Sequence, residues 1–405
     1  MTIESEKRQS EKVEYTLPVD CDNHYYEKID AFTRYLDPEF RSRGIEVIKR
    51  GTHTELLAGG VLFEFVPNPT FDPVIVPGSL DALFRGQIPE GVDPRSLAKV
   101  APLNPAYQDH DIRLEMIAEQ EMSAAILLPT LACGVEEALK DDIPATMASV
   151  TAFNKWLDED WGFSYKDRIF AAPMLSFADP DEAVREIDRL IERNVRIVSV
   201  RPAPVPAPYG RSNSFGNPIY DKVWAKLEAE DIPVAFHLSD SGYNRYLASA
   251  WGAPDRFVPF KTKNTLASLV VADRAIHDTY ASLIVDGVFT RFPKLRTASI
   301  ENGSDWVALL LKRLRKQANQ TPWVFAEDPA DTIRRHLWVS PYYEEDVRKL
   351  ADTVGSDKVL FGSDWPHGEG LEKPTDFINE LDDFTAAERD QIMRTNTLDL
   401  LGIRY

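Results

Sequence analysis

Cysteine is nearly absent. Two residues, Cys21 and Cys133, stand in a chain of 405, too few for a disulfide framework or a thiolate zinc site. Positive charge is also short: 46 Lys and Arg face 65 Asp and Glu, a net charge of −19. A field of that sign repels nucleic acid and anionic membranes, so neither is expected as a partner. No apolar run approaches the roughly 18 residues of a membrane-spanning helix. The opening stretch, MTIESEKRQSEKVEY, lacks the apolar core of a secretory signal. These absences lead to the expectation of a cytoplasmic protein whose partner is a small molecule. Glycine is missing where it would matter: the first apolar run, LPVDCD, continues as NHYY. A doubly wound dinucleotide-binding sheet would show a glycine-rich turn there.

What is present supports a large core. Hydrophobic residues make up 43% of the chain and charged residues 27%, well outside the range of disordered chains. Eight short apolar runs read as strands: 17–22, 123–129, 168–175, 195–201, 232–238, 296–301, 336–341 and 358–364. Between them lie amphipathic stretches such as DIRLEMIAEQEM, DEAVREIDRLIERN and DWVALLLKRLRK, with apolar residues at helical spacing. Strand and helix in alternation mean a parallel sheet wrapped by helices, and eight repeats are the count of a closed (β/α)8 TIM barrel.

Residues 1–14 read as a polar tail and 15–405 as one barrel domain. Residues 45–110 break the alternation, and eight of the 28 prolines fall between positions 66 and 105. Proline blocks helix interiors and removes donors, so this segment reads as an ordered insertion after the first strand. A lid over the site, a subunit contact in a homodimer and a surface excursion without a role all fit it.

Barrels of this kind place their chemistry at the C-terminal ends of the strands. The first run ends in VDCDNHYYE, where spacing two puts Asp20, Asp22 and His24 on one face, inward, with Cys21 turned outward. The fifth ends at His237, the sixth at Glu301 and the eighth at Asp364. Taken singly, each could be a cap or a hydrogen-bonded structural residue. Together they would bring carboxylates against one another at the barrel axis, which requires positive charge. A divalent cation supplies it, and an Asp/His/His/Asp set suits Zn²⁺, with Mn²⁺ or Fe²⁺ as alternatives. The fourth run ends in SVRPAP without a lysine, and Arg201 there could grip a substrate carboxylate or make a structural ion pair. Tyr25, Tyr26, Tyr342, Tyr343 and Trp365 could line an apolar pocket or anchor loops.

Three strings, GVFTRFPKLRTASIENGSDW, FGSDWPH and VDCDNHYYE, resemble the amidohydrolase-related metalloenzymes. That family includes aminocarboxymuconate semialdehyde decarboxylase, γ-resorcylate decarboxylase and related C–C bond hydrolases. The resemblance runs from about residue 17 to the C-terminus. It implies one metal ion held by Asp22, His24, His237 and Asp364, with Asp22 standing where many relatives carry a histidine. Asp20 competes for the same place. Asp364 is expected both to bind the metal and to hold the proton of the metal-bound water. Glu301 stands where the decarboxylases carry a proton-transferring histidine, which makes it the expected catalytic acid–base. His367 and Trp365 are expected beside the substrate. A carboxylate base activating water favours hydrolysis of a small carboxylated, ring-derived substrate. Non-oxidative decarboxylation at the same site is the alternative reading, and a non-catalytic binding protein on the same barrel is a third.

Overall fold

The protein is described from a computed structural model, which covers residues 13–404 apart from 52, 64, 67–69 and 256–264. Most of the expected polar tail therefore lies outside the described residues. Seven parallel strands follow the expected runs: β1 (Val19–His24), β2 (Ala124–Leu128), β3 (Ile169–Ala171), β4 (Val198–Val200), β5 (Val234–His237), β6 (Thr297–Ile300) and β7 (Leu337–Val339). They form two ladders, β1-β2-β3 and β4-β5-β6-β7, joined by a parallel bridge from Met174 to Ser199. Residues 359–365 close the ring. Leu360 N–H donates to Val339 O at 2.8 Å on one side, and Cys21 N–H donates to Phe361 O at 2.9 Å on the other. The barrel is therefore complete, although its eighth segment pairs through single bridges rather than a full ladder. A regular strand stops early there because the chain turns left-handed at Asp364, whose φ is +55°. Gly362 makes the approach possible, since a Cβ at that position would lie 2.6 Å from the Cβ of Asp22.

Alternation along the strands sorts the core into two layers. Val19, Cys21, Ile126, Phe170, Ile197, Ala235, Ala298, Trp338 and Leu360 pack together inside the barrel. The intervening residues, among them Ala125, Leu127, Val198, Phe236 and Val339, meet the helices, where Trp156, Trp224 and Trp306 are fully buried. The helix Pro180–Glu192 shows how the outer layer forms. Asp179 caps it by accepting from the backbone N–H groups of Asp181 and Glu182, proline opens its first turn, and Ala183, Ile187 and Leu190 are buried at helical spacing.

The expected alternation on β1 fails in one respect. Asp20 pairs with Ala125, but Asn23 pairs with Leu127, so β1 holds one extra residue between those points. This β-bulge reverses the parity of the strand. Cys21 faces the barrel interior rather than the helices, Asp20 faces outward, and Asp22 and His24 both reach the barrel mouth.

The 45–110 segment leaves after β1. Its first part is an antiparallel sheet of Ile45–Arg50, His53–Ala58 and Val61–Phe63, and a second pair joins Val74–Ile75 to Val100–Ala101. Leu80 N–H donates to Gly368 O at 2.8 Å, which ties the insertion to the loop after the eighth segment.

Candidate active site

Four strand ends bring their polar side chains to one point. His24 Nε2 lies 3.3 Å from Asp22 Oδ1, 3.2 Å from Asp364 Oδ1 and 3.9 Å from Glu301 Oε2. His237 Nε2 lies 2.9 Å from Glu301 Oε2 and 3.8 Å from Asp22 Oδ1. Asp22, His24, His237 and Glu301 each offer one ligand atom within 4.8 Å of the others. Asp364 enters through His24 and forms a second group with His24 and His367. Glu301 and Asp364 both adopt left-handed backbone conformations, with φ of +57° and +55°. Such conformations strain residues with a Cβ and recur at functional sites. Here they turn each carboxylate over the barrel mouth. Tyr342 Oη donates to Glu301 O at 3.0 Å, and Asn302 Nδ2 donates to Ile300 O at 2.7 Å, which holds the turn in place.

The residues fit a divalent ion. Asp22 Oδ1, His24 Nε2 and His237 Nε2 are buried and satisfied by no hydrogen bond, a costly state for groups removed from water. Donors sharing one ion at about 2.1 Å stand roughly 3–3.4 Å apart; His24 with Asp22 and with Asp364 falls in that range, at 3.3 and 3.2 Å, and His237 with Glu301 lies just below it at 2.9 Å. The charges point the same way. Burial alone pulls His24 down, yet Asp22 and Asp364 lift it to about 10. His237 falls well below the histidine range through burial and the neighbouring His24. Burial, reinforced by Asp364 and Asp22, pushes the Glu301 carboxyl well up. Asp364 is held low against its own burial by His367 and His24. These groups could hold a cation.

Asp20, two residues from Asp22, does not belong to the cluster. It accepts from the backbone N–H groups of Asp22 and Ser363, from Asn23 Nδ2 and from Ser363 Oγ at 2.5 Å. It staples β1 to the eighth segment from the outward side of the bulge. Arg201 is a second correction. Its guanidinium is buried against Glu136 and Glu137, both at 2.8 Å, and also donates to Asp240 O and Pro204 O. With four donations committed to the protein, it is a structural ion pair and not a substrate grip. Trp365 is a third. It packs against Tyr107 and under the Arg113 guanidinium and is not among the residues that line the cavity. His367 does face the site. Its Nδ1 meets Asp364 Oδ1 at 2.6 Å, its Nε2 meets Thr130 Oγ1 at 3.1 Å, and its ring lies 4.0 Å from that of His24.

Above the cluster is a cavity of about 140 Å³, comparable to engineered cavities that admit one benzene ring. Among its lining residues, His24, His237, Glu301 and His367 are polar groups of the site, and Phe65, Val66, Thr70, Val74 and Ile75 come from the insertion. Of the five aromatic candidates, Tyr26 lines it. Tyr25 is buried among Phe153, Trp156 and Trp161, and Tyr343 stacks beneath Arg85.

Several residues around the site escape sequence reasoning. Thr130 and Cys133, on the loop after β2, reach His367 Nε2 and His237 Nδ1 at 3.1 and 3.3 Å. Glu27 holds that loop by accepting from the backbone N–H groups of Thr130, Leu131 and Ala132 at 3.1, 2.9 and 3.2 Å. Arg113 donates to His24 O at 2.8 Å from a helix far along the chain. The end of the second run, LLPT, carries the same positional signal as the other strand ends. Arg113 and Glu27 carry none.

Comparison with known proteins follows the same barrel. The amidohydrolase family model matches residues 19–403. The chain belongs to the amidohydrolase family. Membership makes it an enzyme of that superfamily. A solved amidohydrolase from Mycobacterium avium subsp. paratuberculosis K-10 is 53% identical, with a TM-score of 0.91 over 95% of this chain and 99% of that one. A dihydroxybenzoic acid decarboxylase from Polaromonas sp. JS666, solved with manganese and the inhibitor 2-nitroresorcinol, shares the fold. It has a TM-score of 0.57 and 16% identity, over 80% of this chain and 93% of that one. A 2-amino-3-carboxymuconate-6-semialdehyde decarboxylase from Dictyostelium discoideum is 27% identical over 128 residues, 30% of this chain. The match spans about a third of that relative's length, 35%.

Proposed function

We propose that the chain is a divalent-metal-dependent, non-oxidative decarboxylase of a small aromatic carboxylate. The observation that carries this reading is the position of Glu301. It reaches the donor cluster at His237 and also lines the cavity that the apolar residues of the insertion help enclose. Hydrolysis, the expectation from a carboxylate base, has less support. Two of the relatives described above are decarboxylases.

Asp22, His24, His237 and Asp364 would hold the ion. When bound, a divalent cation supplies a Lewis acid that offsets the carboxylates and orients substrate oxygens, and manganese in the Polaromonas structure makes Mn²⁺ as reasonable as Zn²⁺. The chain's own residues do the rest. The insertion wall of Phe65, Val66, Val74 and Ile75 holds the ring and keeps water out. Glu301 gives its proton to the ring carbon bearing the carboxylate. The carbon–carbon bond then breaks, its electron pair restores the ring, and carbon dioxide leaves. Water reloads Glu301. His367 keeps Asp364 ionised and in place through its 2.6 Å contact.

Protein loaded with Mn²⁺ or Zn²⁺ and incubated with hydroxylated aromatic monocarboxylates should release carbon dioxide and the matching arene, both read by mass spectrometry. Products that instead incorporate oxygen from labelled water would return the assignment to hydrolysis.

A further inference from the structure

The loop after the eighth segment carries a carboxylate that neither the donor cluster nor the proton transfer uses. Glu369 lines the cavity together with His367, Val74 and Ile75. Its backbone is fixed, because Tyr343 Oη donates to Glu369 O at 3.0 Å and the preceding Gly368 O accepts from Leu80 N–H. Gly368 leaves no room to shift, since a Cβ there would run into Ile75. Apart from its own backbone amide, no group among the described residues donates to the Glu369 carboxylate. A half-buried carboxyl to which no side chain donates keeps its accepting capacity free toward the cavity. Burial and the charge of Asp364 both push it upward, as expected of a site short of donors.

We propose that Glu369 is a specificity-determining residue that accepts a hydrogen bond from a ring hydroxyl of the substrate and excludes a second carboxylate. The inference rests on the aromatic-carboxylate reading above and deepens it. A substrate carboxylate can sit at the donor cluster, where a cation neutralises it. A second one against Glu369 would meet Asp364 as well, whose charge already acts on this group. A hydroxyl in the same place supplies the missing donor, and the apolar residues of the insertion leave the rest of the ring without polar contacts.

The test is calorimetric and independent of turnover. Metal-loaded protein is titrated with benzoate, with salicylate, which adds a hydroxyl, and with hydroxyisophthalate, which adds a second carboxylate. Salicylate should bind about tenfold more tightly than benzoate, the usual value of a hydrogen bond to a charged group. Hydroxyisophthalate should bind at least about tenfold more weakly than salicylate. Glu369→Gln should shrink the penalty on the second carboxylate to within about twofold, with metal content unchanged by elemental analysis, and Glu369→Arg should reverse it. Equal binding of the mono- and dicarboxylate by the unaltered protein, unchanged ratios in Glu369→Gln, or no binding of any of the three overturns the inference. If Glu369→Gln loses its metal or fails to fold, Glu369→Asp decides: retracting the carboxylate by one methylene should weaken salicylate toward benzoate, and an unchanged ratio overturns the proposal. Selective binding without release of carbon dioxide would remove the decarboxylase reading and leave this one standing.

Discussion

Two groups of buried charge stand at the same end of the barrel, and they differ in how they are balanced. After β4, Arg201 lies between Glu136 and Glu137, and Lys140 pairs with Glu137 in turn. Donors and acceptors match, and the group needs nothing from outside. Around β1, β5, β6 and the eighth segment, three carboxylates face two histidines whose Nε2 atoms have no hydrogen bond. Arg201 shows that this fold can neutralise buried acids internally. Leaving the other cluster short of positive charge is therefore a feature of the site. A balanced buried ion pair positions a loop, whereas an unbalanced one holds a ligand.

The largest expected effect removes the imbalance by removing a ligand. Purified protein should carry about one divalent ion per chain, and Asp22→Ala or His237→Ala should lose nearly all of it by elemental analysis, along with activity. A stoichiometric ion retained in either variant would mean that the cluster is not the centre.

Next comes Glu301→Gln, which keeps shape and loses the ionisable oxygen. Metal should stay bound, and turnover should fall by roughly 10² to 10⁴. Loss of metal comparable to that of Asp22→Ala would instead make Glu301 a ligand.

The balanced group breaks differently. Arg201→Met strands buried Glu136 and leaves Glu137 with Lys140 alone, and should cost about 3–5 kcal/mol in denaturant unfolding, while the fraction that remains folded keeps its metal. A large loss of metal without a loss of stability would erase the contrast between the two groups.

The smallest effect concerns Glu27, which burial raises to about 7 from an ordinary 4.5. The folded state thus holds a proton that the unfolded chain releases between those values, so stability falls as pH rises through that window. The contribution is about 3 kcal/mol, present below pH 4.5 and gone above about pH 7. Glu27→Gln should lack this slope. Its stability relative to the unaltered protein should rise by about that amount between pH 4.5 and pH 8, and parallel pH profiles would show that Glu27 does not titrate in this range.

Much of this molecule is legible in its residues. Six of the eight barrel segments fall inside the expected runs, and the first and eighth overrun theirs at the C-terminal end, because strands buried on both faces need largely hydrophobic sequence. Asp22, His24, His237, Glu301 and Asp364 are legible for a related reason: a polar residue at the end of such a run has only the barrel mouth to enter. Only the tertiary structure decided the rest. Spacing two placed Asp20 beside Asp22 and His24, but register along β2 puts an extra residue into β1, and one residue is enough to move a side chain to the other face. Arg201 reads equally well as a substrate grip until Glu136 and Glu137, more than sixty positions away in sequence, arrive at 2.8 Å. The wall of the cavity comes from an insertion whose prolines announce only irregular backbone. Local pattern determines which residues are buried and where a strand ends, because those depend on neighbours in the chain. Which charges become neutralised depends on distances between segments remote in sequence, and these exist only once the barrel has closed.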